Sequence, residues 1–179
     1  AQATWAQGTA RLAPPRRSLR PATQAAPRVA MALIRIQQEL AEAAGGPRAD
    51  LQLAQAVPGG LPLCRGSLAG PPLTPYEGGV FRLSVRFPQD YPFRPPKVSF
   101  TTKIFHANVS PEGAVGLGLL QGRWSPSVTL AQVLEAVEAL LVEPDLGCAL
   151  VPEIAEVYRS DRERHDSMAR RCTRKYAVD

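Results

Sequence analysis

Between Val80 and Phe87 the chain alternates. Phe81, Leu83, Val85 and Phe87 are apolar, while Arg82, Ser84 and Arg86 are polar. A period of two predicts a strand whose sheet has one wet face. From Thr129 to Val142 the period changes. Leu130, Val133, Leu134, Val137, Leu140 and Leu141 form one wide stripe, which predicts a helix lying against that sheet. Met31 to Ala44 also reads as a helix, with Leu33, Ile36, Leu40 and Ala44 on one face and Arg35 and Gln38 on the other. Gly45-Gly46-Pro47 ends it. Residues 51–70 are ambiguous: Leu51, Leu53 and Val57 begin a strand, Pro58-Gly59-Gly60 turns, and Leu61 to Leu68 returns, although Pro62 cannot donate to a ladder. Pro88, Pro92, Pro95 and Pro96 build a stiff loop around Tyr91 and Phe93, and Lys97 to Thr102 returns as a short strand through Val98 and Phe100. Near the end, Pro152 opens a short helix through Ile154, Val157 and Tyr158. Ser160-Asp161-Arg162-Glu163 reads as a capping box for a last helix, with His165, Met168, Ala169, Cys172 and Tyr176 inward. Helix, strands in a meander, then helices argue an α+β domain.

The segment Ile104–Pro126 follows none of these periods. It holds His106, Asn108 and Trp124, with glycines at 113, 116 and 118. A long irregular stretch inside a compact domain points to function. This one has no cysteine, serine nucleophile or acid pair at its centre.

Composition narrows the field. The 179 residues suit one domain and a tail. The net charge of +5 arises from Arg11, Arg16, Arg17, Arg20 and Arg28, since residues 1–30 contain no acid. Removing those five from 21 basic residues leaves 16, matched by 16 acids. The rest of the chain is balanced, which speaks against nucleic-acid binding. Residues 1–30, rich in Ala, Arg and Pro, are expected to be a disordered extension, not a secretory leader. No apolar run approaches the roughly 18 residues of a membrane span. Cys64, Cys148 and Cys172 are isolated, so neither a disulfide framework nor a metal site is expected, and a reducing intracellular compartment (cytoplasm or nucleus) fits.

From Met31 onward the chain resembles the ubiquitin-conjugating enzyme family, nearest its D subfamily. The resemblance is carried by Met31-Ala32-Leu33, Tyr76 to Phe81, Phe87 to Lys97, Trp124-Ser125-Pro126, Leu150 to Ile154 and Lys175-Tyr176-Ala177. Residues 31–179 are thus expected to form the family's core: an N-terminal helix, a four-stranded antiparallel meander, an active-site loop, a central helix and C-terminal helices. The resemblance implies a protein that accepts ubiquitin as a cysteine thioester and passes it to a lysine with a RING-type ligase. No cofactor is implied beyond the ATP used by the activating enzyme, and a monomer is expected.

The departures fall at the chemical centre. The family's His-Pro-Asn stands here as His106-Ala107-Asn108. The resemblance gives His106 a structural role and Asn108 a role in stabilising an oxyanion or holding the loop. Where the family has its nucleophilic cysteine stands Gly116, and the acid two residues on is replaced by Gly118. Without a side chain there is no atom to form a thioester. Cys148 aligns beside the cleft and is the one candidate for a displaced nucleophile. Cys64 and Cys172 fall at tryptophan positions of the D subfamily, which raises the alternative of a decayed copy. The ligase-facing positions implied are Arg35, Gln38, Pro92, Phe93, Arg94, Trp124, Ser125, Pro126 and Ser127, with Ile34 in place of a family lysine. Phe93 is the expected anchor, whereas Trp124 could equally fill a seam between two loops.

Overall fold

The computed structural model describes residues 25–43, 49–55 and 61–178. Helix α1, Ala25–Ala43, is followed by strands β1 (Ala49–Gln55), β2 (Leu63–Ala69), β3 (Val80–Arg86) and β4 (Lys97–Phe100). After the irregular stretch come α2 (Leu130–Val142), α3 (Pro152–Ser160) and α4 (Arg162–Tyr176). The strands form one antiparallel sheet in the order β1-β2-β3-β4. This is the α+β meander the periodicities predict. Among the described residues no helix is long and apolar enough to cross a membrane.

Helix α1 begins at Ala25, ahead of the expected boundary at Met31. Pro27 falls in its first turn, where a missing N–H costs nothing. The remainder of the expected extension lies outside the described residues. The ambiguous segment resolves as two strands. Pro62 stands just before β2, so the ladder loses no donor, and Cys64 pairs with Leu53 on one side and Val85 on the other.

One core joins the inner sheet face to α1 and α2. Ile36 and Leu40 of α1, Leu68, Phe81, Leu83 and Val85 of the sheet, and all six predicted stripe residues of α2 are buried in it. A buried side chain of this size contributes about 1.5–3 kcal/mol, so the α2 stripe fixes that helix on the sheet. Thr129 and Gln132 cap its start reciprocally, each side chain bonding the other's backbone N–H. Cys64 is fully buried, and burial pushes its thiol up to about 11. It is a packing residue.

Two expectations for α4 are corrected. Ser160 does not cap it: α3 runs through Ser160, whose hydroxyl donates back to Glu156 O at 2.8 Å. The cap is Asp161, whose carboxylate accepts from Arg164 N at 2.9 Å. The inner face is His165, Ala169 and Thr173, while Tyr176 is exposed with two lysine ammonium groups over its ring. Thr173 reaches the carbonyls of Pro75 and Ala169, which seats α4 on the turn before β3.

Candidate functional site

The irregular stretch is held by backbone and side-chain bonds to distant loops. Tyr76 donates its hydroxyl to Phe105 O at 2.9 Å. His106 is fully buried. Its Nε2 lies 2.8 Å from Leu140 O and its Nδ1 accepts the Asn108 N–H at 3.0 Å, which together assign the Nε2-protonated tautomer. Burial lowers its pKa to about 4, so the ring is neutral, with both nitrogens bonded to main-chain groups.

Asn108 is also fully buried. Its amide nitrogen donates to Asp145 O at 2.6 Å, and its backbone carbonyl accepts from Gly116 N at 2.8 Å. Its side-chain oxygen is buried without a partner. Of the two roles implied for this residue, the geometry matches loop fastening. The amide is turned to the segment after α2 and bonded there. Ala107 completes the fastening, since its carbonyl accepts from both Leu150 N (2.9 Å) and Val151 N (3.0 Å).

That fastened segment covers Gly116. A Cβ added at Gly116 would lie 2.5 Å from Cys148 O and 2.7 Å from Leu150 Cγ. A Cβ at Gly118 would lie 2.4 Å from Arg123 Nη2 and 2.9 Å from Nε. The space that a side chain at either position would need is filled by a carbonyl, a leucine and a guanidinium. Nearby, Gly113 adopts φ +89° because its Cα abuts the Phe100 carbonyl, where a Cβ would come within 2.0 Å. Phe100 N in turn donates to Gly113 O at 2.8 Å, tying the loop to β4.

Cys148 is half-buried in the short 3₁₀ turn Leu146–Cys148. The Asp145 carboxylate caps that turn through Gly147 N at 2.9 Å. A hydrogen bond with the same carboxylate pushes the Cys148 thiol up, and the Asp145 carboxyl correspondingly down. Acyl transfer needs a thiolate, which an electropositive setting favours and an adjacent carboxylate opposes. Arg123 acts in the helpful direction but is the lesser influence.

The second part of the site is the surface formed by α1, the proline loop and the loop before α2. Arg35 Nε donates to Glu39 Oε1 at 2.7 Å, and its Nη2 reaches Val128 O at 3.3 Å. Tyr91 donates its hydroxyl to the other oxygen of Glu39, which is buried. Trp124 Nε1 donates to Pro92 O at 2.8 Å, and its ring packs on Tyr91. The Tyr91–Pro92 peptide bond is cis. These bonds join three segments distant in sequence, and they place Trp124 in the seam. Phe93 is 73% exposed, and Met31 and Ile34 on α1 are exposed as well. A groove of about 930 Å³ runs between Met31 and Arg35 on one side and Tyr91, Pro92, Phe93 and Arg94 on the other. Gln38, Ser125, Pro126 and Ser127 are exposed, and the two serine hydroxyls bond each other at 3.0 Å. Gln38 and the Ser125–Ser127 segment do not line this groove.

Sequence reasoning missed Glu39, Arg123 and Leu150. Glu39 had a signal, since a carboxylate between Ile36 and Leu40 on a helix's inner side requires a partner. Leu150 had none, because its contact with Gly116 is purely tertiary.

A helix, a four-stranded meander, a buried His-x-Asn turn and a helical C-terminal half define an α+β domain built around one irregular loop. The chain belongs to the ubiquitin-conjugating enzyme family, whose family model matches residues 35–173. It is a ubiquitin-conjugating-enzyme-like protein of the ubiquitination pathway, a family whose members interact with ubiquitin and with ubiquitin ligases.

Proposed function

We propose that this chain is a family member, nearest the D subfamily, that forms no ubiquitin thioester and acts by docking a RING-type ligase. Gly116 carries the reading: the residue at the nucleophile's position has no side chain, and the segment Cys148–Leu150 lies over it. Beside this silent centre, the groove with exposed Phe93 retains an apolar anchor flanked by prolines, the kind of feature that forms an interface hot spot. Bound there, the protein would compete with active relatives for ligases, or scaffold them, and ubiquitin is a second partner of the same class. The reading requires no cofactor and suits a monomer in a reducing compartment, cytoplasm or nucleus.

Two measurements test it. Incubation with activating enzyme, ATP and ubiquitin should give no reductant-sensitive adduct. Titration with a RING domain should perturb amides around Phe93, and Phe93→Ala should abolish the effect. Absence of binding at high micromolar concentration would end the proposal.

The alternative, an active transferase using Cys148, predicts an adduct that disappears in Cys148→Ser. The position of Cys148 beside the covered glycine motivates it, whereas its carboxylate partner counts against it. A cooperative melt above body temperature would argue against the remaining reading, a decayed copy; the Cys64 position is fully buried.

A further inference from the structure

Helix α4 carries an uneven share of the charge. It holds six arginines and lysines against two acids, Glu163 and Asp166. Taking these from the 16 of each sign beyond residue 30 leaves ten basic residues against fourteen acids, so the balance there is a sum of unlike parts. With His165, Ala169 and Thr173 turned inward, Arg170, Arg171, Arg174 and Lys175 are exposed. Arg170 and Arg174 are i,i+4 neighbours, as are Arg171 and Lys175, and like charges so spaced disfavour a helix. The helix dipole favours cations in the last turn only, so it accounts for Arg174 and Lys175 but not for Arg170 and Arg171. No carboxylate stands three or four residues from Arg171 or Arg174. Asp166, four before Arg170, is held by Arg162 at 3.0 Å and His165 at 2.9 Å. Lys103, from the segment after β4, adds a fifth cation. Its Nζ lies 5.5 Å from the centroid of the Tyr176 ring, against 5.0 Å for Lys175. Among the described residues none of these five has an ion-pair partner. Tyr176 and Val178 are exposed at the end of the stripe.

We infer that this stripe binds an acidic polypeptide segment. Carboxylates laid along it would relieve the repulsion between the i,i+4 pairs and meet the guanidinium forks two oxygens at a time. Tyr176 and Val178 supply an apolar contact beside the charges. Nucleic acid fits less well. From Arg170 to Lys175 the stripe is only about 8 Å long, too short to follow a run of phosphates, and it offers one ring for stacking. The stripe shares no residue with the groove at Phe93.

The test uses the full chain, isotopically labelled and titrated with an octaglutamate peptide at low salt. Amide shifts should be confined to the second half of α4 and to the segment around Lys103. Arg171→Glu/Arg174→Glu should weaken binding about tenfold or more, because it replaces attraction with repulsion. Arg171→Gln/Arg174→Gln, which keeps the helix propensity, should weaken it about threefold or more and serves if the first variant fails to fold. Arg65→Glu/Arg86→Glu, the same change of charge on the sheet, should leave binding unchanged. The inference is overturned by equal binding of parent and α4 variants, or by an equal loss in the sheet variant, which would mark general charge attraction. It is also overturned by tighter binding of oligothymidylate than octaglutamate to the same residues, or by self-association of the chain that the α4 variants abolish.

Discussion

Restoring a cysteine at position 116 is the simplest attempt to reactivate this protein, and the geometry predicts that it fails. The new Cβ would sit 2.5 Å from Cys148 O and 2.7 Å from Leu150 Cγ. An ordinary contact begins near 3.4 Å, so the covering segment must retreat by about 0.9 Å before the sulfur is even placed. Leu150 can turn aside, but the carbonyl is main chain. It belongs to a segment fastened by the Asp145 O–Asn108 bond and by two N–H groups on Ala107 O. Overpacking of this kind costs typically 1–3 kcal/mol, and each fastening bond broken adds about 1 kcal/mol. Gly116→Cys should therefore lower the urea-unfolding stability by about 2–4 kcal/mol. In a charging assay with activating enzyme, ATP and ubiquitin, it should form little thioester on a non-reducing gel. Adding Leu150→Ala removes the side-chain clash alone and should recover part of the stability. A Gly116→Cys protein as stable as its parent and readily charged would refute the argument, because the cover would then be loose.

Other consequences are separable. Tyr91→Phe strands one oxygen of buried Glu39 and should cost about 1–3 kcal/mol in chemical denaturation, with resonance shifts at Phe93. His106 is held neutral with its pKa near 4 against a usual 6.5, so the unfolded chain binds the proton more tightly. Stability from this group is complete above pH 6.5 and declines as pH falls toward 4, by on the order of 3 kcal/mol, and His106→Gln should flatten that slope relative to the parent. Asp145→Asn removes the carboxylate that holds the Cys148 thiol protonated and should speed its alkylation by iodoacetamide at pH 8, with no change expected at Cys64.

The parts of the fold readable from sequence are those where one residue period persists. The α2 stripe and the β3 alternation persist, and every predicted α2 stripe residue is buried. Where the period is short or mixed, local signals compete. The strand β2 follows Pro62 immediately, and the helix α1 starts in an Ala-Pro-Arg run with no apolar stripe to announce it. Ser160 had the composition of a cap but not its place, because α3 extends one residue further than its pattern. At the site, the type of residue at 106, 108 and 116 was legible. Whether Asn108 points at a reacting atom or fastens a loop was not, since that depends on Asp145, far along the chain. Likewise Trp124 is explained only by its bond to Pro92, which no local pattern encodes.

Ala107 O receives two main-chain N–H groups, and neither depends on what side chains Leu150 and Val151 carry. Bonds between peptide groups survive any change at Leu150 or Val151 that keeps the N–H, proline being the exception. Side chains at 150 and 151 can therefore change while these two bonds persist, whereas the third fastening needs the Asn108 amide. To uncover Gly116, an engineer would have to shorten or replace the whole crossing between α2 and α3.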